Sequence, residues 1–319
     1  MKENDKIETI IIGFGKIAYG YNEYNKKDIL THYMSLHKSK KFKLSAFVEP
    51  NNERRKKIIK KLRIKGYANL SQLKNKVFPK FAIICSPTNS HTKIIKELIK
   101  EHKSIKIILC EKPFGSNYYQ SQKVVNQIKK KKIKLFINYM RISDPGVIKV
   151  KEIINKNFKK QTKGIVFYDG STLNQASHLI NLLQYWFGNV IGIKKIQLYK
   201  KKQLSKGISF TLKFQETNIV FIGLNIENFS YASIELISPN GRIEYSERGE
   251  RITYQKAILD KTFGEDYLPD PKKTVIYNDI NNYQLNVLKE IYSNFKNKKS
   301  HLCSGDKAIE TLKVINKLI

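Results

Sequence analysis

Four stretches of this chain combine reactive residue types with spacings that chemistry can use. The first is "GFGKIA" (13–18), which directly follows the apolar run "ETIII". A Gly-x-Gly-x-x-Ala turn lets the chain reverse tightly and brings backbone N–H groups against a pyrophosphate at a helix N-terminus. Gly13, Phe14, Gly15, Lys16, Ile17 and Ala18 are therefore candidate dinucleotide contacts. Alone the pattern is weak, because any strand-to-helix turn can use glycine. Glu49, which closes the next apolar run, strengthens it. A carboxylate there accepts hydrogen bonds from an adenosine ribose and repels a 2′-phosphate. Glu49 thus favours NAD over NADP. Two features temper this: the separation from Gly13 exceeds the usual ~20 residues, and Arg54 and Arg55 follow closely.

The second stretch, "ICSPTNSH" (84–91), ends a further apolar run with natural helix-capping residues. Ser86, Pro87, Thr88 and Asn89 would lie over a nucleotide crevice. Two readings stand for His91: contact with a ligand, or a capping or buried hydrogen-bonding role. The third stretch, "CEKPFG" (110–115), sets a lysine at the end of an apolar run. Burying an ammonium costs several kcal/mol unless it is paired. Lys112, between Glu111 and a proline that can adopt the cis form, is placed to polarise or deprotonate a hydroxyl. The fourth, "STLNQASHL" (171–179), reads as a helix start, with Asn174 and His178 four residues apart and so on one face. A histidine on a largely apolar helix is more often a satisfied core residue than a catalytic one. Its reading depends on the rest of the chain.

These residues need elements to hold them. Continuously apolar runs at 6–15, 43–50, 80–87, 105–113 and 133–140 alternate with helical stretches at 51–63, 89–101 and 117–131. That pattern predicts a parallel sheet covered on both faces. Beyond about residue 145 it changes. Helices over 144–156 and 174–186 and a strand near 162–168 precede β-rich runs at 191–200, 207–214, 218–226, 231–237, 241–247 and 251–257. "SPNGR" (238–242) is a hairpin signal, so the second sheet is read as mostly antiparallel. Residues 258–279 read as irregular loop, and helices over 280–297 and 304–318 end the chain. The tyrosine-rich 19–33 stretch, with His32, is read as surface cover in preference to a border of the cofactor site.

Composition narrows the classes. At 319 residues with 41% hydrophobic residues, two domains with sizeable cores are expected. The N-terminus lacks a signal-like apolar region, and no apolar run approaches the ~20 residues of a membrane span. A cytoplasmic protein without membrane insertion is the expectation. Cys85, Cys110 and Cys303 have neither metal nor disulfide spacing. The formal charge of +33 suggests nucleic acid, but only 7 of the 60 basic residues are arginine, whereas base and phosphate recognition leans on the guanidinium fork. Lys, Asn, Ile and Tyr all have A/T-rich codons, which explains the excess. No specific nucleic-acid role is expected, and acidic small molecules are favoured.

"GFGKIA", "VEP", "SPTNSH", "CEKPFG", "NYMRISDP" (138–145), "GSTLNQASHLINLLQYWFG" (170–188) and "SGDKAIETLKVINKLI" (304–319), in this order, resemble the Gfo/Idh/MocA family. The resemblance covers essentially the whole chain. It implies an α/β fold: an N-terminal Rossmann domain over 1–117, with the 304–319 helix packing back on it. A substrate-binding and oligomerisation domain over 118–319 would carry a large, mostly antiparallel sheet. It further implies a homodimer or homotetramer, and hydride transfer between NAD(P) and a sugar or polyol carbon. Residue by residue, Lys112 matches the family lysine that contacts substrate and assists proton transfer. His178 matches the histidine facing the nicotinamide, and Asn138 and Arg141 fall where the substrate pocket is lined. Asn174 departs from the pattern: many members have aspartate there, and an amide cannot accept a proton. Asp169–Gly170 also stands where Gly-Gly is common. The leading expectation is an NAD-dependent sugar or nucleotide-sugar oxidoreductase acting in sugar or surface-glycan metabolism. The alternative is a cofactor-binding protein with little turnover that acts as a sensor or assembly partner.

Overall fold

The computed structural model describes residues 6–24, 27–158, 161–196, 207–262 and 264–319. The chain divides into two compact units, Met1–Ser143 with Asn281–Ile309, and Asp144–Ile280 with Glu310–Ile319.

The first unit runs β1 (Ile7–Ile12), α1 (Tyr21–Tyr24), α2 (His32–Lys38), β2 (Phe42–Val48), α3 (Asn52–Leu62), β3 (Lys65–Tyr67), β4 (Phe81–Ile84), α4 (His91–Glu101), β5 (Ile107–Cys110), α5 (Tyr118–Lys130) and β6 (Lys134–Ile137). Its six strands form one parallel sheet in the order β3-β2-β1-β4-β5-β6. β4 and β5 are buried along their whole length, which is why they read as unbroken apolar runs. Helix starts follow side-chain chemistry: Asn51 and Asn117 accept the amides of Arg54 and Gln120, and Thr31 accepts that of Met34. One core layer joins Phe14, Phe42, Phe47 and Phe81 to Val287, Leu288 and Ile291 of the Tyr283–Phe295 helix. Strand order reverses between β1 and β4, and in open α/β sheets ligands bind outside the carboxyl ends of the strands at such a point.

The second unit runs α6 (Pro145–Asn157), β7 (Lys163–Tyr168), α7 (Ser177–Phe187), β8 (Gly192–Ile196), β9 (Ser209–Lys213), β10 (Asn218–Gly223), β11 (Ala232–Ser238), β12 (Gly241–Ser246), β13 (Arg251–Leu259), β14 (Tyr267–Pro269) and β15 (Thr274–Val275). Asp144 caps α6 by accepting the amides of Gly146 and Val147, with Pro145 at the first helical position. The nine-stranded sheet is ordered β14-β13-β12-β11-β7-β10-β9-β8, with β15 on β13; β7 and β10 are its parallel pair. β11 and β12 alternate buried and half-exposed residues, the mark of a sheet covered on one face. Trp186 of α7 packs edge-on against Tyr245 of β12 and donates its indole N–H to Val147 O at 3.1 Å. On the other face Arg242 bridges Glu235 at 2.6 Å and Glu244 at 2.7 Å.

"SPNGR" closes the β11–β12 hairpin, with Ser238 paired to Gly241. Three expectations change. The 258–279 stretch contains two short edge strands on β13, because backbone groups along that edge find ladder partners even where side-chain pattern is lost. The 191–200 run is a strand only over Gly192–Ile196, and 197–206 lie outside the described residues. The 19–33 stretch is not mere surface cover, since Asn22, Thr31 and His32 are buried.

Candidate active site

The glycine turn sits at the reversal of strand order. Gly13 has φ +83°, and a Cβ there would lie 2.7 Å from Ser86 N at the end of neighbouring β4. Only glycine satisfies both conditions. At Gly15 a Cβ would meet nothing within 4 Å, so the backbone there is bare to an approaching ligand. A π-helical turn over Lys16–Gly20 follows, then the single turn of α1. Gly20, a poor helix former, stands where a longer helix would continue. The opening amides of this turn have no carbonyl before them to bond within the helix. Such a bare, amide-lined turn fits a dinucleotide pyrophosphate.

Phe14 contributes backbone only, since its ring lies in the core 4.7 Å from that of Phe47. Ala18 is buried, Ile17 packs partly against the same core and Lys16 is exposed. Glu49, at the end of β2, is 4% exposed. Its Oε2 accepts Phe14 N–H at 3.0 Å and faces Arg54 Nη1 at 3.3 Å, while Oε1 accepts Asn51 N–H at 3.0 Å. Glu49 therefore ties β2 to the glycine turn, and its remaining lone pairs are what a ribose hydroxyl would use. A cavity of about 280 Å³ opens beside Gly15, with Lys16, Arg54, Lys57 and Lys61 among its lining residues.

Beyond β4, Thr88–Ser90 make a short 3-10 turn preceded by Pro87, and Pro87 and Asn89 are exposed. Ser90 Oγ donates to Ser86 Oγ at 2.7 Å. His91 is buried, with Nε2 2.8 Å from Ser86 O and Nδ1 3.1 Å from Pro113 O. It clamps the β4 loop to the turn after β5. Burial pulls its titration down, against the two carbonyl contacts and the Glu111 charge.

That second turn carries Glu111, Lys112 and a cis Lys112–Pro113 bond. Glu111 Oε1 lies 2.7 Å from His32 Nε2 and accepts Asn138 Nδ2–H at 2.6 Å; Oε2 accepts the amide of Lys112 at 3.3 Å. Asn138 donates also to Gln284 Oε1 at 3.1 Å. Both hydrogens of the Asn138 amide are thereby used, so His32 Nε2 must carry its own proton to face Glu111. Burial alone would raise the Glu111 carboxyl, but the His32 and Asn138 hydrogen bonds and nearby positive charge hold it below the ordinary value. Burial lowers Lys112, Glu111 pulls it back up, and the Arg141 charge lowers it further. A lysine so depressed is suited to accept and return a proton. Arg141 itself is buried in the 3-10 turn Met140–Ser143.

In the second unit Ser171 caps a π-helical turn, Thr172–Ala176, that leads into α7. His178 is 7% exposed, whereas Asn174 is exposed. Asn174 lies in the π-turn and His178 in the first turn of α7, and the two differ in burial. Asp169 Oδ1 accepts the amide of Ile226 at 2.9 Å, and Gly170 has φ +88°.

Residues 7–139 match the profile described as "Oxidoreductase family, NAD-binding Rossmann fold", Gfo/Idh/MocA. Those residues are similar to that family, and the match spans less than half of the chain. The fold recurs in solved structures of low identity. The UDP-N-acetylglucosamine 3-dehydrogenase GnnA from Acidithiobacillus ferrooxidans superposes with TM-score 0.78 at 10% identity, covering 98% of this chain and 96% of that one. The WlbA dehydrogenase from Bordetella pertussis, in complex with NADH and UDP-GlcNAcA, gives 0.73 at 13%, covering 97% and 95%. A super-repressor mutant of Gal80p from Saccharomyces cerevisiae gives 0.76 at 13%, covering 98% and 95%. No curated protein matches the sequence.

Within this candidate site, sequence reasoning missed two members, His32 as a partner of Glu111 and Gln284 as a partner of Asn138. A buried carboxylate at a strand end calls for donors, which was a usable signal, but nothing local says where they come from. Among the described residues no group of three or more His, Cys, Asp or Glu is placed to hold a metal ion, and no helix is long and apolar enough to cross a membrane.

Proposed function

We propose that this chain is a Gfo/Idh/MocA-like, NAD-dependent oxidoreductase that moves a hydride between nicotinamide and a carbon of a sugar or nucleotide sugar. The observation that carries this reading is Lys112: a part-buried lysine, depressed by burial, stands at the end of β5 in the same sheet whose β1 ends in the dinucleotide turn. A bound nicotinamide supplies the hydride acceptor, or the donor in reverse. Lys112 takes the proton of the substrate hydroxyl as its C–H becomes a carbonyl, or returns it in reduction. His178 is assigned the facing acid/base role, and Asn138 and Arg141 are assigned to the substrate side. The cofactor contacts are Gly13 to Ala18, Glu49 and the Ser86–Asn89 loop.

Nucleotide sugars are favoured by the basic surface, with GnnA and the WlbA complex as supporting relatives in fold. Glu49 favours NAD, and comparison of NADH with NADPH affinity tests it. The exposed apolar side chains Ile237, Ile258, Leu259 and Leu268 of the second sheet suit a homodimer or homotetramer. Buried cysteines that form no disulfide among the described residues suit a reducing compartment such as the cytoplasm.

The test is hydride transfer across a panel of sugars and nucleotide sugars, followed at 340 nm. Lys112→Ala and His178→Ala should each remove it; intact transfer in both variants sinks the mechanism. Asn174, an exposed amide in the place of a carboxylate, favours a second reading in which the chain binds cofactor and turns over little. Tight NADH binding with no oxidation or reduction of any panel member would select it.

A further inference from the structure

Glu111 is the carboxylate whose charge acts on Lys112. A lysine beside a carboxylate in a part-buried turn would ordinarily close on it as an ion pair, and a paired ammonium is a poor proton acceptor. Here the carboxylate is occupied elsewhere. Oε1 is held by His32 from α2 and by Asn138 from the end of β6, and Oε2 lies on the backbone amide of Lys112. Among the described residues Lys112 Nζ makes no ion pair. The other titratable or charged groups around the pair are His91, Cys85 and Cys110 on the Glu111 side and Arg141 on the Lys112 side. None of these is a carboxylate.

His32 is 2% exposed on its side chain and comes from the segment between the glycine turn and β2. Its own anchoring is dense: Thr31 caps α2, Ser35 Oγ donates to His32 O at 2.8 Å, and Tyr283 Oη donates to Leu30 O at 3.0 Å. A ring held this firmly, with its Nε2 proton aimed at one oxygen, fixes the side-chain torsions of Glu111.

We propose that His32 is a positioning residue for Lys112: with Asn138 it holds the Glu111 carboxylate away from its neighbour's ammonium, leaving the amine available to exchange a proton with a bound hydroxyl. This deepens the oxidoreductase reading and rests on it for the hydroxyl, but the holding of Glu111 does not depend on any substrate.

The test uses the full chain without cofactor or substrate. Competitive labelling with trace acetic anhydride across pH 7–11, read by mass spectrometry at Lys112, gives the titration and reactivity of that one amine. His32→Phe keeps ring bulk and removes the donor, so Glu111 should swing onto Lys112. Labelling at pH 8 should fall about threefold or more, since each unit of upward shift lowers the free amine tenfold. His32→Gln restores a donor and should label like the wild type. The double variant His32→Phe with Glu111→Gln has no charge left to swing, and should label at least as fast as the wild type. General damage to the fold would not be cured by that second change. Unchanged labelling in His32→Phe, or a double variant as slow as the single one, overturns the proposal. Should His32→Phe lose its circular dichroism, Asn138→Leu removes the other donor to the same oxygen and takes its place under the same criteria. A chain that meets them yet transfers no hydride would retain this inference and lose the proposed function.

Discussion

Glu49 Oε2 accepts the backbone N–H of Phe14 at 3.0 Å, joining the end of β2 to the glycine turn after β1 across 35 residues of chain. The same carboxylate holds Asn51 N–H. In Glu49→Ala both amides lose their acceptor, and a buried unsatisfied donor costs roughly 1–3 kcal/mol. The thermal midpoint should drop by several degrees, and NADH affinity should fall about tenfold or more, the equivalent of ~1.4 kcal/mol. Differential scanning fluorimetry and a fluorescence titration read the two effects separately.

The two glycines of the turn should fail in different ways. Gly13→Ala meets Ser86 N at 2.7 Å with φ at +83°, a combination costing about 1–3 kcal/mol in backbone strain alone. It should lower stability and cofactor binding together. Gly15→Ala meets no atom within 4 Å, so its melting curve should match the wild type while the new methyl group intrudes on the cofactor's approach. A Gly15→Ala protein with wild-type NADH affinity would remove Gly15 from the site.

His91 should make the first unit sensitive to mild acid. Burial lowers its titration in the folded state, whereas the unfolded chain takes up a proton near pH 6.5. Below that pH the unfolded state binds a proton that the folded state refuses, so stability falls as pH falls, by at most about 1.4 kcal/mol per pH unit. The depressed Glu111 carboxyl adds a loss of the same sign at more acid pH, as its folded-state value is crossed. Lys112 acts at the alkaline end: its lowered value means stability is regained as pH rises towards the ordinary lysine range. Melting temperatures between pH 7.5 and 5.5 should decline in the wild type and decline less in His91→Gln, with the remainder due to His102, whose titration burial also lowers. An equal decline in the variant would place the acid sensitivity elsewhere.

Asn174→Asp should raise turnover. The substitution puts a proton-accepting carboxylate where only an amide stands, at an exposed position that tolerates charge, and positioned general bases contribute about 100-fold or more. A gain of roughly tenfold in kcat on the best panel substrate is expected. No gain, with KM unchanged, would show that Lys112 and His178 suffice.

Much of this protein was legible in its sequence because the signals are local. Turn chemistry at "GFG", unbroken apolar runs for β4 and β5, the hairpin residues of "SPNGR" and a lysine set at the end of an apolar strand all follow from steric and solvation rules acting over a few neighbours. They determined two sheets of different kind, a glycine turn after β1, and the candidate status of Lys112. Tertiary structure alone decided who satisfies the buried polar groups. His32 reaches Glu111 across 79 residues and Gln284 reaches Asn138 across 146. No periodicity encodes such pairings, because a buried donor needs an acceptor but not one from any particular place in the chain. The π-turn that carries Asn174 was likewise out of reach, because its extra residue is invisible in a pattern counted at helical spacing.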